Sequence, residues 1–240
     1  MGTRKPRTLK LTGPDSSVLN NAAVPKWCKT IVAILLLPVC LGAAWALWLV
    51  LRRSETADTI WVATLAGAAC WAVIYLLLPK PMWVYVFGHE LTHALWVWLW
   101  GGKVKKFRAS AQGGHVVVTK NNFLIALAPY FFPLYAVLVV LVFALGDWIW
   151  HWQSYRVWFH LVLGAAYSFH LTLTGHVLKS SQSDLSEQGY LFSCVIIFLG
   201  NLGFLLVGIP LLAAKVDVLT ALGWWARCTG QIWQWLLKVF

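Results

Sequence analysis

Charged side chains are what this sequence lacks most. Only 11% of its 240 residues are Asp, Glu, Lys or Arg, whereas 60% are hydrophobic. A soluble domain of ordinary composition has about 25% charged residues. So few charges cannot cover the surface of a water-soluble fold, so we predict that the lipid bilayer is the solvent. The 17 Trp residues support this prediction, because indole side chains favour the membrane–water interface.

Paired cysteines are also missing. The five cysteines include no Cys-x-x-Cys pair. Thiolate zinc sites usually show such spacing, and disulfide frameworks need regularly paired cysteines. The sequence therefore predicts neither a disulfide framework nor a zinc site with cysteine ligands.

Acidic side chains are fewer than basic ones, eight against 19, which gives a net charge of +11. The basic residues cluster in the N-terminal tail and near residues 103–108, and both clusters flank apolar runs. Basic clusters beside membrane segments bind anionic lipid headgroups. We therefore predict the lipid bilayer as the partner of these charges, and we predict no nucleic-acid binding.

Long apolar runs predict about six transmembrane helices, because roughly 20 residues cross a bilayer as a helix. These runs lie near residues 31–50, 60–78, 82–100, 123–145, 157–178 and 190–213. After the third run, the glycine pair Gly113-Gly114 between two strand-like segments predicts a β-hairpin with its turn at that pair. The predicted fold is an all-α polytopic membrane protein with one short hairpin. Its parts are a flexible basic tail (1–29), a transmembrane domain (30–213) and a Trp-rich interfacial helix (214–240).

One pattern places ionisable groups in the third predicted span. His89 and His93 are spaced four residues apart, so a helix presents both imidazoles on one face. This spacing suits two nitrogen ligands of Zn²⁺, and Glu90 beside them can take a proton from a metal-bound water. Ionisable groups are costly inside a bilayer unless they are paired or bound to metal. The pattern therefore predicts a zinc site, the alternative being hydrogen bonding within the helix bundle.

A catalytic zinc needs a third protein ligand and an open position for water. The leading candidate is Asp184, a carboxylate at the start of the last predicted span. Its alternative interpretation is a charge that stabilises a helix N-terminus. Glu187, one turn later, is the second candidate. His170 and His176, in or near the fifth span, are either further candidates or packing residues.

The motif Gly88-His89-Glu90-Leu91-Thr92-His93-Ala94, followed by Trp100-Gly101-Gly102-Lys103-Val104 and a hairpin, resembles the site-2 protease family of intramembrane zinc metallopeptidases. It is most similar to the small form without appended soluble domains. The resemblance covers about residues 82–200. It implies that the third zinc ligand is an Asp on a later helix, a role that falls on Asp184. The family has Asn-Pro-x-x-x-Asp-Gly or Leu-Asp-Gly at this position, whereas Leu185 follows the Asp here.

The resemblance implies a hydrolase, a zinc metalloendopeptidase that uses a metal-activated water and Glu90 as the general base. Its partner would be a membrane protein or peptide substrate, and the edge of the predicted hairpin could pair with this substrate as an added strand. The main alternative is a non-catalytic metal-binding membrane protein, either a pseudoprotease scaffold or a transporter. A di-iron oxidase would need a second Glu-x-x-His, which the sequence lacks. A protease of the class that trims prenylated proteins would need Glu187 as its third ligand.

Overall fold

The computed structural model describes residues 10–11, 24–54, 58–180, 182–212 and 216–239. The helices are α1 (Lys26–Arg53), α2 (Asp58–Leu77), α3 (Met82–Leu99), α4 (Phe123–Phe131), α5 (Leu134–Trp150), α6 (Arg156–Leu178), α7 (Ser183–Gln188), α8 (Tyr190–Leu212) and α9 (Val218–Val239). The strands are β1 (Lys10–Leu11), β2 (Val104–Ser110) and β3 (Gly113–Val118), and a short 3₁₀ helix covers Trp152–Tyr155. The predicted all-α class with a small hairpin is confirmed. Most of the predicted basic tail lies outside the described residues.

Four helical segments in the described part of the chain are long and apolar enough to cross a membrane. They are Lys26–Arg53, Ile60–Leu77, Trp152–Leu178 and Tyr190–Leu212. Helices α4 and α5 are bent by 72° relative to each other, and they make a fifth span-capable segment if the pair crosses the membrane as one span. The bend follows from Pro133, which restricts Phe132 before it to an extended backbone and so ends α4. The third predicted span is α3, which is not among these segments because the polar residues of its histidine motif lower its hydropathy.

Residues 58–187 and strand β1 belong to one compact unit. Within it, α2 and α6 make the most extensive helix pair, and glycines sit at their crossing. A Cβ on Gly67 would overlap the carbonyl oxygen of Leu161, and a Cβ on Gly164 would overlap that of Thr64. Small residues at such crossings let two helix backbones approach closely, as in membrane helix pairs.

Two apolar clusters hold α3 in place in this unit. Toward its N-terminal end, Tyr85 and Val86 pack with Phe169 and Leu173 of α6. Toward its C-terminal end, Val97 packs with β3 and α4 through the fully buried residues Val116, Val118 and Ile125. The two clusters flank the histidine motif, so the motif lies on a helix that is fixed on both sides.

The strands form a sheet in the order β1–β3–β2. Strands β2 and β3 are antiparallel, and Ser110 pairs with Gly113, so the turn lies at residues 111–112. The prediction that Gly113-Gly114 forms the turn is therefore wrong, since both glycines belong to β3. Strand β1 pairs with the other edge of β3 in the parallel sense, with Leu11 opposite Val118.

The second compact unit contains α1, α8 and α9. Trp225 of α9 donates a hydrogen bond from Nε1 to the carbonyl oxygen of Val39, at 3.1 Å. Gly42 of α1 lies against the backbone of Thr229, where a Cβ would come within 2.7 Å of the amide nitrogen. Helix α9 occupies most of the predicted interfacial segment and packs on α1 and α8. Its position at a membrane interface stays a prediction.

Candidate metal centre

The three leading ligand candidates lie together in the first unit. His89 and His93 are on α3, Asp184 is on α7, and one ligand atom from each lies within 4.8 Å of the others. Oδ2 of Asp184 is 3.8 Å from Nε2 of His89 and 3.8 Å from Nε2 of His93. Zinc bonds of about 2.0–2.2 Å to these atoms would put neighbouring ligands about 3.4 Å apart at the tetrahedral angle and at most about 4.2 Å apart. The two separations from Asp184 lie within this range, whereas the 4.8 Å limit for the whole group lies above it, so the ligand atoms would have to move closer together around one ion.

All three side chains are withdrawn from solvent. His89 is 4% exposed, His93 is 2% exposed and Asp184 is 5% exposed. Two imidazoles and a carboxylate are hard or borderline donors that suit zinc, whereas no cysteine takes part in this cluster. The donor set suits the predicted Zn²⁺ ion, which His89, His93 and Asp184 would hold.

The orientation of His93 is fixed by a backbone carbonyl. Its Nδ1 lies 2.8 Å from the carbonyl oxygen of Ile125 at the start of α4. A carbonyl can only accept, so Nδ1 carries the proton and Nε2 keeps its lone pair. Ligating histidines in metal sites characteristically donate their second ring N–H in this way. The bond therefore presents Nε2 of His93, the nitrogen that faces Asp184, in the form that binds metal.

Asp184 is positioned by the segment that ends α6. Gln182 donates from Nε2 to the carbonyl oxygen of Val177, at 3.1 Å, and to Oγ of Ser180, at 2.7 Å. These bonds tie α7 to the last turn of α6. The carboxylate oxygen Oδ2 of Asp184 also accepts a hydrogen bond from the hydroxyl of Tyr130, at 3.0 Å. Tyr130 of α4 thus contacts Asp184 directly, and Gln182 holds the start of α7 against the end of α6.

The environment of Asp184 favours its ionised form. Burial by itself raises the pKa of this carboxyl, because the carboxylate loses hydration. In the metal-free site, the hydrogen bonds from His89 and Tyr130 and the positive charge of protonated His89 and His93 together lower the pKa by more, so it lies below its ordinary value. The group is therefore a carboxylate at neutral pH, which is the form that binds a metal ion.

Glu90 lies beside the triad and against the hairpin. It is 3% exposed. A Cβ placed on Gly114 would lie 2.6 Å from its Cγ and 2.7 Å from its Oε1. The backbone of β3 can approach the carboxylate this closely only because residue 114 has no side chain. Gly114 is thus a close-approach position, which explains why a glycine occupies this place in β3.

The remaining ligand candidates lie outside the cluster. Among the described residues, the group able to hold a metal contains His89, His93 and Asp184 but neither Glu187, His170 nor His176. Glu187 is exposed at the end of α7. His170 is buried and lines a small cavity together with His89. This geometry supports Asp184 as the third ligand.

Sequence reasoning missed the residues that position the ligands. Tyr130, Gln182 and the carbonyl of Ile125 belong to no spacing motif, because each reaches the site through the tertiary fold. Gly114 did give a signal, a glycine pair between strand-like segments, but that signal also fits a turn. Comparisons of the chain with protein-family models, with curated proteins and with solved structures found no match.

Proposed function

We propose that this chain is an integral, multi-pass membrane protein that works as an intramembrane zinc metalloprotease of the site-2 protease type. The observation that carries the proposal is the buried triad of His89, His93 and Asp184 with Glu90 next to it and a β-strand passing alongside. The span-capable helices support the membrane setting. The motif and hairpin that resemble the site-2 protease family support the reaction.

The zinc ion, when bound, would supply a water of lowered pKa and a positive charge for the substrate carbonyl. Glu90 is buried one position along α3 from His89, where its carboxylate can accept a proton from that water and pass it to the leaving amine. The carbonyl of Ile125 keeps His93 in its ligating tautomer. The Tyr130 hydroxyl holds the Asp184 carboxylate toward the two histidines.

The substrate must present an extended backbone at this site, because a helix conceals its carbonyls in hydrogen bonds. Strand β3 passes Glu90 at Gly114, and among the described residues its edge away from β2 pairs with β1 only at Val117 and Val118. We propose that a membrane-associated polypeptide unwinds and adds to this edge, which places its backbone beside Glu90. A proline at Val117 should then reduce cleavage while leaving the zinc content intact, and unchanged cleavage would contradict strand addition.

Cleavage of a reporter with one transmembrane segment tests the proposed activity. Purified wild-type protein in liposomes should cleave it, and mass spectrometry of the products should locate the scissile bond in or near the membrane segment. The variant Glu90→Gln should keep one zinc per chain and lose about 10²–10⁴-fold in rate, since that is the usual contribution of a general base.

Glu187→Gln is the matched control, because it makes the same change at an exposed acid on α7 outside the triad. It should cleave and bind zinc like the wild type. Loss of zinc in this control would favour the alternative in which Glu187 is the third zinc ligand. A wild type that binds zinc and cleaves no reporter would favour the non-catalytic scaffold or transporter.

A further inference from the structure

A small cavity lies beside the metal centre. Its volume is about 20 Å³, and its lining includes Gly88, His89 and Thr92 of α3 and His170 of α6. A cavity needs about 10–15 Å³ of such volume to hold one water. The cavity therefore has room for one water between the side chains that line it.

His170 is the polar group on the α6 side of this cavity. It is 6% exposed, and its Nε2 has no hydrogen-bond partner among the described protein atoms. Thr174, one turn later on the same face of α6, is also 6% exposed, and its Oγ1 likewise has no protein partner. A buried polar group without a partner destabilises the fold. Two such groups on one helix face need a reason beyond packing.

We propose that His170 is a positioning residue of the metal centre, which holds the ring of the ligand His89 through one water in this cavity. Hydrogen bonds outside the ligand shell fix the ring orientation of metal-binding histidines. His93 has such a partner in the carbonyl of Ile125. For His89, the polar group across the cavity is His170. The inference rests on the zinc ion of the proposed function and not on proteolysis.

Zinc affinity, measured by competition with a chromophoric chelator, tests this role without any cleavage assay. His170→Leu should weaken zinc binding by about 10–100-fold, the usual effect of losing an outer-shell partner. His170→Gln should recover most of the affinity, because its amide can still bind the water. His160→Leu is the control, since His160 is a buried histidine on the same helix, 3% exposed, that does not line the cavity. It should bind zinc as the wild type does.

Thermal unfolding of the metal-free protein separates positioning from packing. Leu fills a similar space and the variant loses only a bond to one water, so metal-free His170→Leu should unfold close to the wild-type temperature. The inference would be overturned if His170→Leu bound zinc with wild-type affinity. It would also be overturned if the metal-free variant lost as much free energy of unfolding as the variant loses in zinc-binding free energy. A wild type that binds zinc but cleaves no reporter would contradict the proposed protease and leave this result standing.

Discussion

Replacing Gly114 with Ala should impair catalysis without removing the metal. The added Cβ would lie 2.6 Å from Cγ of Glu90 and 2.7 Å from the backbone oxygen of Arg108. Carbon atoms in contact are about 3.5–4.0 Å apart, so about 1 Å must be absorbed. Because the Cβ overlaps both the Glu90 side chain and the backbone of β2, the hairpin and the Glu90 side chain both have to shift.

A displacement of about 1 Å at a catalytic group can cost about 10²-fold in rate, or about 2.7 kcal/mol of barrier. We therefore expect Gly114→Ala to cleave the transmembrane reporter about 100-fold more slowly while retaining one zinc per chain. Gly175→Ala is the matched control, because nothing lies within 4 Å of a Cβ at that position, and it should keep wild-type activity. Wild-type cleavage by Gly114→Ala would refute the proposal that the close approach of β3 positions Glu90 as the general base.

Three further predictions follow from contacts within the first unit. Tyr130→Phe removes the hydroxyl that bonds to Asp184 and should weaken zinc binding by about 10–100-fold in a chelator competition. Gly164→Ala forces α2 and α6 apart and should lower the free energy of unfolding by about 1–3 kcal/mol. The control is Gly203→Ala, whose added Cβ meets no atom within 4 Å and should leave this free energy unchanged. Thermal unfolding in detergent measures both variants. Deleting residues 1–11 removes β1 from the edge of β3. Reporter cleavage should then become several-fold faster, and the β3 amides should exchange hydrogen faster. An unchanged cleavage rate would show that β1 does not compete with substrate.

The parts of the site that sequence could predict are those set by local geometry. His89, Glu90 and His93 form a pattern within one helix, so their common face follows from helix periodicity alone. The all-α class followed in the same way from long apolar runs, which need only length and composition. Asp184 came from the resemblance and from its place before a span, and the cluster of ligand atoms supports it.

The remaining features depend on contacts between distant segments. Tyr130 contacts Asp184 across 54 residues, and the carbonyl of Ile125 contacts His93 across 32. No spacing rule connects such pairs, because the fold alone brings them together. The same holds for α1 and α9, which are the first and the last described helices and pack in one unit. Gly114 shows a different limit, since a glycine is required both by tight turns and by close backbone approach.

X-ray absorption at the zinc edge of the purified wild-type protein tests the metal centre most directly. Ligation by His89, His93 and Asp184 predicts a nearest shell of nitrogen and oxygen at about 2.0–2.2 Å, with the outer scattering of two imidazole rings. The chain has five free cysteines, so a sulfur neighbour at about 2.3 Å is a possible contrary result. Sulfur in the nearest shell, or a protein without stoichiometric zinc, would contradict the ligand set on which the proposed function depends.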